Sequence, residues 1–119
     1  MIELPWPPRE LWPNTRAHYY AKARAVKAYR TQSYWIAKSA PLILPAEGPI
    51  ELLLEFRPPD NRARDLDNMV AAIKSGLDGI ADAHEINDNR FRFTPSIGAV
   101  DKRGKVIIRL VAPEMALAA

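Results

Sequence analysis

Hydrophobic and polar positions follow two periods along this chain, and the switch between them marks the elements. "IELLLEF", Ile50 to Phe56, alternates well enough for a strand with one face buried. "MIEL" reads as a short first strand stopped by "PWPP", because proline cannot donate to a ladder. "RFRFTPSIGAV" and "KVIIRLVAP" read as two more strands, joined by "DKRG", a turn sequence whose glycine suits a positive φ. "RAHYYAKARAVKAYRTQSYWIAKSA" holds neither glycine nor proline and predicts one long helix over roughly 17–39, with Asn14 or Thr15 able to begin it. Val26, Tyr29, Ser33 and Ile36 form its core-facing row. "LDNMVAAIKSGLDGI" predicts a second helix with Leu66, Val70, Ile73, Leu77 and Ile80 on one face, Asp67 or Asn68 as N-cap and Gly79 as its end. "RPPDNRA" and "ADAHEINDN" read as loops, and residues from about 114 as a frayed tail. The order β-α-β-α-β-β predicts an α+β fold: a single domain over 1–119, with a mostly antiparallel or mixed sheet and both helices on one side.

Length and composition bound the possibilities. A chain of 119 residues that is 48% apolar makes one domain with one core. A monomer of this size buries only about two-thirds of its unfolded surface, so a dimer would help. The absence of cysteine excludes a disulfide framework and a thiolate metal site, and fits a cytoplasmic location. No apolar run approaches the length of a membrane span, and the N-terminus lacks the basic start and apolar core of a secretory signal.

The net charge of +3 divides into +5 over residues 1–40, −6 over 41–88 and +4 over 89–119. An acidic middle between basic ends suits a polyanionic partner with an acidic cluster set among its contacts, although ordinary solvated charge would look the same. On the first helix, Tyr20, Arg24, Lys27, Thr31, Tyr34 and Lys38 form a basic and aromatic row that can lie along phosphates or serve as a solvated flank.

The acidic cluster centres on "RDLDN", Arg64 to Asn68. Two carboxylates, Asp65 and Asp67, stand where a loop enters a helix, beside Arg57, Arg62 and Arg64, whose guanidinium groups fit phosphate oxygens in two-point contacts. The plain structural alternative is that Asp67 caps the helix and Asp65 adds favourable charge. A further acidic group, Asp82, Glu85 and Asp88, follows in the next loop. Lys74, seven residues after Asp67, lies two turns along the same helix face and could neutralise charge at a reacting phosphate, or simply pair with Asp78. Together these residues describe an oxygen-ligand cage for Mg²⁺, an ion that takes one or two carboxylates, water and phosphate oxygens. No Walker loop, "HExxH" or Cys/His zinc pattern is present. His18 and His84 read as surface or helix-end residues, with His84 a weak candidate because the acidic loop is near.

The chain resembles the RusA-type Holliday junction resolvases, small endonucleases common in bacteria and their prophages. The resemblance is carried by "LPWPP" (Leu4 to Pro8), "PPDNRARDLDN" (Pro58 to Asn68), "INDN" (Ile86 to Asn89) and a final hairpin. It implies a homodimer that binds four-way DNA junctions and makes paired nicks with Mg²⁺ or Mn²⁺. Asp65 and Asp67 match the two aspartates of the family motif, Asp88 the third acidic ligand, Arg64 the basic residue before the pair, and Asn68 the asparagine after it. The family's lysine position, four residues after the second aspartate, holds Ala71 here, and Lys74 stands three residues further on. Asp65, Asp67 and Asp88 are then expected to hold one or two divalent ions, with Lys74 or Arg64 steadying charge on the phosphate. Arg62, Arg24, Lys27, Arg90, Arg92, Lys102, Arg103 and Lys105 are expected on flanking phosphates. The competing readings are a nuclease for other branched DNA and a degenerate prophage module that binds DNA without cutting it.

Overall fold

A computed structural model describes residues 1–111. It contains β1 (Ile2–Pro5), α1 (Tyr19–Ser39), β2 (Ile50–Arg57), α2 (Leu66–Ala83), β3 (Phe91–Ile97) and β4 (Lys105–Leu110), with short 3-10 turns at Arg9–Leu11 and Asp88–Arg90. The expected β-α-β-α-β-β order is present. The expected tail, and the last residues of "KVIIRLVAP", lie outside the described residues.

The four strands form one mixed sheet in the order β1-β4-β2-β3. β4 runs antiparallel to both β1 and β2, while β3 runs parallel to β2 with Ile50 opposite Phe91. The last two strands therefore do not pair as a hairpin. The crossover through α2 returns β3 parallel to β2, and β4 fills the slot on the other side of β2. Two hydrogen bonds carry the connection past the end of β2: Gly98 N–H to Phe56 O at 2.8 Å and Asp101 N–H to Pro58 O at 2.9 Å. The "DKRG" turn forms as expected, with Gly104 at φ +70° and its N–H on Asp101 O at 2.7 Å.

The alternation in β2 buries Ile50, Leu52, Leu54 and Phe56 completely. These meet Ile2, Leu4, Val106 and Ile108 of the neighbouring strands and Tyr29, Met69, Ile73, Leu77 and Ile80 of the helices in one core. Each such side chain contributes about 1.5–3 kcal/mol by leaving water. The opposite face of β2 is polar: Glu55 receives Arg57 at 2.6 Å and Arg109 at 3.0 Å, and those hydrogen bonds hold its carboxyl below the usual range.

Both helices differ in detail from their sequence reading. α1 begins at Tyr19 because His18 caps it, Nδ1 accepting from Tyr20 N–H at 3.2 Å, while the Thr15 hydroxyl donates to Arg9 O at 2.8 Å. Tyr29 and Ser33 are buried as expected and Ala37 joins them, whereas Ile36 is half-buried and Val26 is exposed. Gly79 does not end α2. It lies mid-helix, where an added Cβ would overlap the carbonyl oxygen of Arg30 and stand 3.0 Å from Ser33 Cβ. Small residues on both helices permit this close crossing, and α2 continues to Ala83, so "ADA" is helix rather than loop. Past the C-cap His84, Glu85 takes the left-handed region at φ 54° and turns the chain out of the helix, with Ile86 N–H returning to Ala81 O at 3.1 Å.

Candidate functional site

The chain stays extended through Asp65 and turns helical at Leu66, so Asp65 is the N-cap, in place of the expected Asp67 or Asn68. Its Oδ1 accepts from Asp67 N–H at 2.9 Å. Asp67 sits in the first turn, where the unpaired N–H groups of the helix favour negative charge. Both aspartates are exposed to solvent, and Asn68 beside them is half-buried.

The arginines ahead of them divide into two roles. Arg64 is drawn inward: Nη2 pairs with Asp60 at 2.9 Å, Nη1 donates to the carbonyls of Asp60 and Arg62 at 3.2 Å each, and the guanidinium lies 5.5 Å from the Trp6 ring centre. It fastens the loop that presents the aspartates. Arg62 keeps 81% of its side chain exposed and touches Asp60 only at 3.4 Å. The Arg62 backbone N–H, and then Arg64, hold the Asp60 carboxyl below its usual range.

Further along α2, Lys74 donates to Asp78 at 2.6 Å and to Asp88 at 2.7 Å. Arg30 of α1 grips Asp82 with two hydrogen bonds, at 2.6 and 2.9 Å, and reaches Asp78 at 4.0 Å. These groups line a pocket of about 350 Å³. Burial pulls the Lys74 ammonium down, but the hydrogen bonds and charges of Asp78 and Asp88 outweigh it and raise its pKa overall. Lys74 lowers the carboxyl of Asp88, and Arg30 lowers that of Asp82.

The expected trio of Asp65, Asp67 and Asp88 is not gathered. Among the described residues, no three acidic or histidine groups stand close enough to hold a metal ion. Asp88 is engaged by Lys74, which lies about 10 Å of helical rise beyond Asp67. The adjacent pair Asp65 and Asp67 does fit Mg²⁺ as a donor set, since that ion needs only one or two carboxylates and fills its remaining positions with water and phosphate oxygens.

Both histidines serve the backbone. His84 Nδ1 bonds Ile80 O at 2.8 Å while Nε2 accepts from Leu42 N–H at 3.0 Å, which clamps the end of α2 to the loop after α1. Of the expected phosphate contacts, Arg24 and Lys27 are exposed on α1, as are Lys102 and Arg103 in the turn. Lys105 pairs with Asp101 at 3.5 Å and Glu3 at 3.8 Å. Arg90 is occupied by the carbonyls of Gly48 and Pro45 at 2.9 and 2.8 Å, and Arg92 by those of Asn89 and Phe91 at 2.7 and 3.0 Å. Sequence reasoning missed Arg30, which lies 52 residues before its partner Asp82. It also used Trp6 only as part of a motif. The spacing of Asp78 and Asp82, one helical turn apart, was the available signal for the second acidic group.

No family model matches the chain. A protein of Xylella fastidiosa described as uncharacterized is 41% identical over 113 residues, covering 92% of this chain and 74% of that one. The crossover junction endodeoxyribonuclease RusA of Escherichia coli K12 is 36% identical over 78 residues, which is 64% of this chain and 64% of RusA. RusA of Shigella sonnei matches to the same extent. The resemblance read from "LPWPP" and "RDLDN" is thus borne out: over nearly two-thirds of its length, the chain is similar in sequence to the RusA crossover junction endodeoxyribonucleases.

Proposed function

We propose that this protein is a RusA-type, metal-dependent endodeoxyribonuclease that cuts four-way DNA junctions by paired nicks as a homodimer in the cytoplasm. One observation carries the reading: two adjacent, solvent-facing carboxylates at a helix start, presented by an arginine-fastened loop, in a chain similar to RusA. Asp65 and Asp67 would hold Mg²⁺ or Mn²⁺. When bound, the ion supplies Lewis acidity toward the scissile phosphate and a nucleophilic water. Asp65 keeps the helix start in place with one oxygen while the other stays available. Asp88 would join the pair by exchanging Lys74 for the ion, which leaves the Lys74 ammonium on Asp78 alone and able to turn toward charge developing on the phosphate. Arg62, Arg24, Lys27, Lys102 and Arg103 are exposed and would track the DNA backbone, giving position without sequence information. A two-fold dimer matches the symmetry of the opposed strands of a junction.

The second reading, a module that binds branched DNA without cutting it, is favoured by the engagement of Asp88 with Lys74. A Mg²⁺-dependent assay on a synthetic junction, a flap and a linear duplex separates the two. Nicking of the junction that is lost in Asp67→Asn, with binding retained or tightened, is the expected result. Unchanged nicking by that variant overturns the metal role. Junction binding without any nicking establishes the second reading.

A further inference from the structure

We infer that the cleft between "LPWPP" and the loop before Asp65 is a base-capture pocket, which takes one unstacked nucleobase of the DNA strand whose backbone passes Asp65 and Asp67. The inference rests on the nuclease reading and adds a specificity element to it.

The cleft holds about 490 Å³, within the range of pockets that enclose a small ligand. Two indoles in contact form one apolar wall: the Trp6 and Trp12 ring centres are 5.6 Å apart and their planes are inclined by 35°, so a base would stack on their outward surface rather than between them. Both rings are fixed. Trp12 Nε1 donates to Pro7 O at 3.1 Å, and Trp6 packs edge-on against the core residue Phe56 at 6.4 Å and against the turn glycine Gly104. Neither is buried away, since both remain half-exposed.

Three arginines share the rest of the lining with Pro7, Thr15, Pro59 and Ala63. Arg9 and Arg62 are exposed at the rim, and Arg64 sits over Trp6. Flat π-faces with guanidinium groups beside them match a planar base attached to a phosphate, and such stacking tolerates any base identity. A proline-rich peptide would use the indoles but bring no anion to the exposed guanidinium groups of Arg9 and Arg62.

Position completes the argument. Arg62, Ala63 and Arg64 run directly into Asp65, so the pocket wall at Ala63 lies within roughly 7 Å of Asp65, Cα to Cα. A base lodged there would hold its own strand against the carboxylate pair. At a branch point a base loses a stacking neighbour, and the cost of drawing it out of the helix falls.

The test uses tryptophan fluorescence in EDTA, so that no cleavage occurs, with Trp35→Phe as background to remove the exposed indole of α1. The probes are a short oligothymidylate and an abasic oligomer of equal length. The base-bearing probe is expected to quench the signal and bind about tenfold more tightly than the abasic one. Trp12→Ala should erase that tenfold difference while leaving abasic affinity unchanged, and Trp12→Phe should retain it. Equal affinity of the parent protein for both probes, or equal weakening of both by Trp12→Ala, overturns the pocket. Base-dependent quenching in a protein that nicks no junction would sustain the pocket while refuting the nuclease reading.

Discussion

The ammonium of Lys74 lies 2.7 Å from the carboxylate of Asp88, fourteen residues later in the chain, and 2.6 Å from that of Asp78. One cation thus ties the segment after α2 back onto the helix. The Lys74 side chain is 59% exposed, so this tie contributes little to stability. Lys74→Ala is therefore expected to leave urea unfolding within about 1 kcal/mol of the parent. Its nicking rate should fall by about 10²–10³-fold. A variant that unfolds early but cuts normally would assign Lys74 to structure alone.

Asp65 combines two duties that substitution can separate. Asparagine caps a helix about as well as aspartate, whereas alanine does not. Asp65→Asn should keep parental stability and Asp65→Ala should lose about 1 kcal/mol, yet both should fail to nick a junction. Equal stability of the two variants in chemical denaturation would remove the capping role.

Gly79 faces the backbone of α1 rather than a movable side chain, so the crossing cannot open locally to admit a methyl group. Gly79→Ala should destabilise the fold by about 1–3 kcal/mol despite the better helix propensity of alanine. Thermal melts would show the loss, and an unchanged or raised melting temperature would contradict the crossing described above.

The Arg30–Asp82 pair carries a pH dependence with a definite sign. Arg30 lowers the Asp82 carboxyl from the ordinary value of 3.8. A carboxylate with a lowered pKa in the folded state contributes stability that is present above its unfolded value and lost as pH falls through its folded value. The α1–α2 tie should thus persist while free aspartates protonate, and fail only at more acid pH. Carbon NMR titration of Asp82 should give a midpoint below 3.8 that moves upward in Arg30→Met.

Local chemistry was the legible part. The strand at Ile50–Phe56, the helix start beside Asp65 and the turn at Gly104 each declare themselves within a few residues, through alternation, capping groups and glycine. The features that went unread depend on residues far apart in the chain. Gly79 resembles a helix stop until α1 is laid across it. Phe91–Ile97 and Lys105–Leu110 resemble a hairpin until α2 carries β3 to the far edge of β2. At the candidate site, the two adjacent aspartates were visible, but the engagement of Asp88 by Lys74 follows from where the loop after α2 lands. The contacts of Arg64 with Trp6 and Asp60 likewise join residues that lie outside the "RDLDN" motif.

The strand order has a consequence for biosynthesis. Among the described strands, β1 is the first to leave the ribosome, and its partner β4 is the last. Until Lys105–Leu110 emerges, the nascent chain holds Ile2 and Leu4 without their sheet neighbour and β2 with one side unmatched. Closure between residues as far apart in sequence as Ile2 and Ile108 is entropically costly and slow. Completion of the sheet should therefore wait for β4, and a stalled chain ending within the "DKRG" turn should be a ready substrate for proteases.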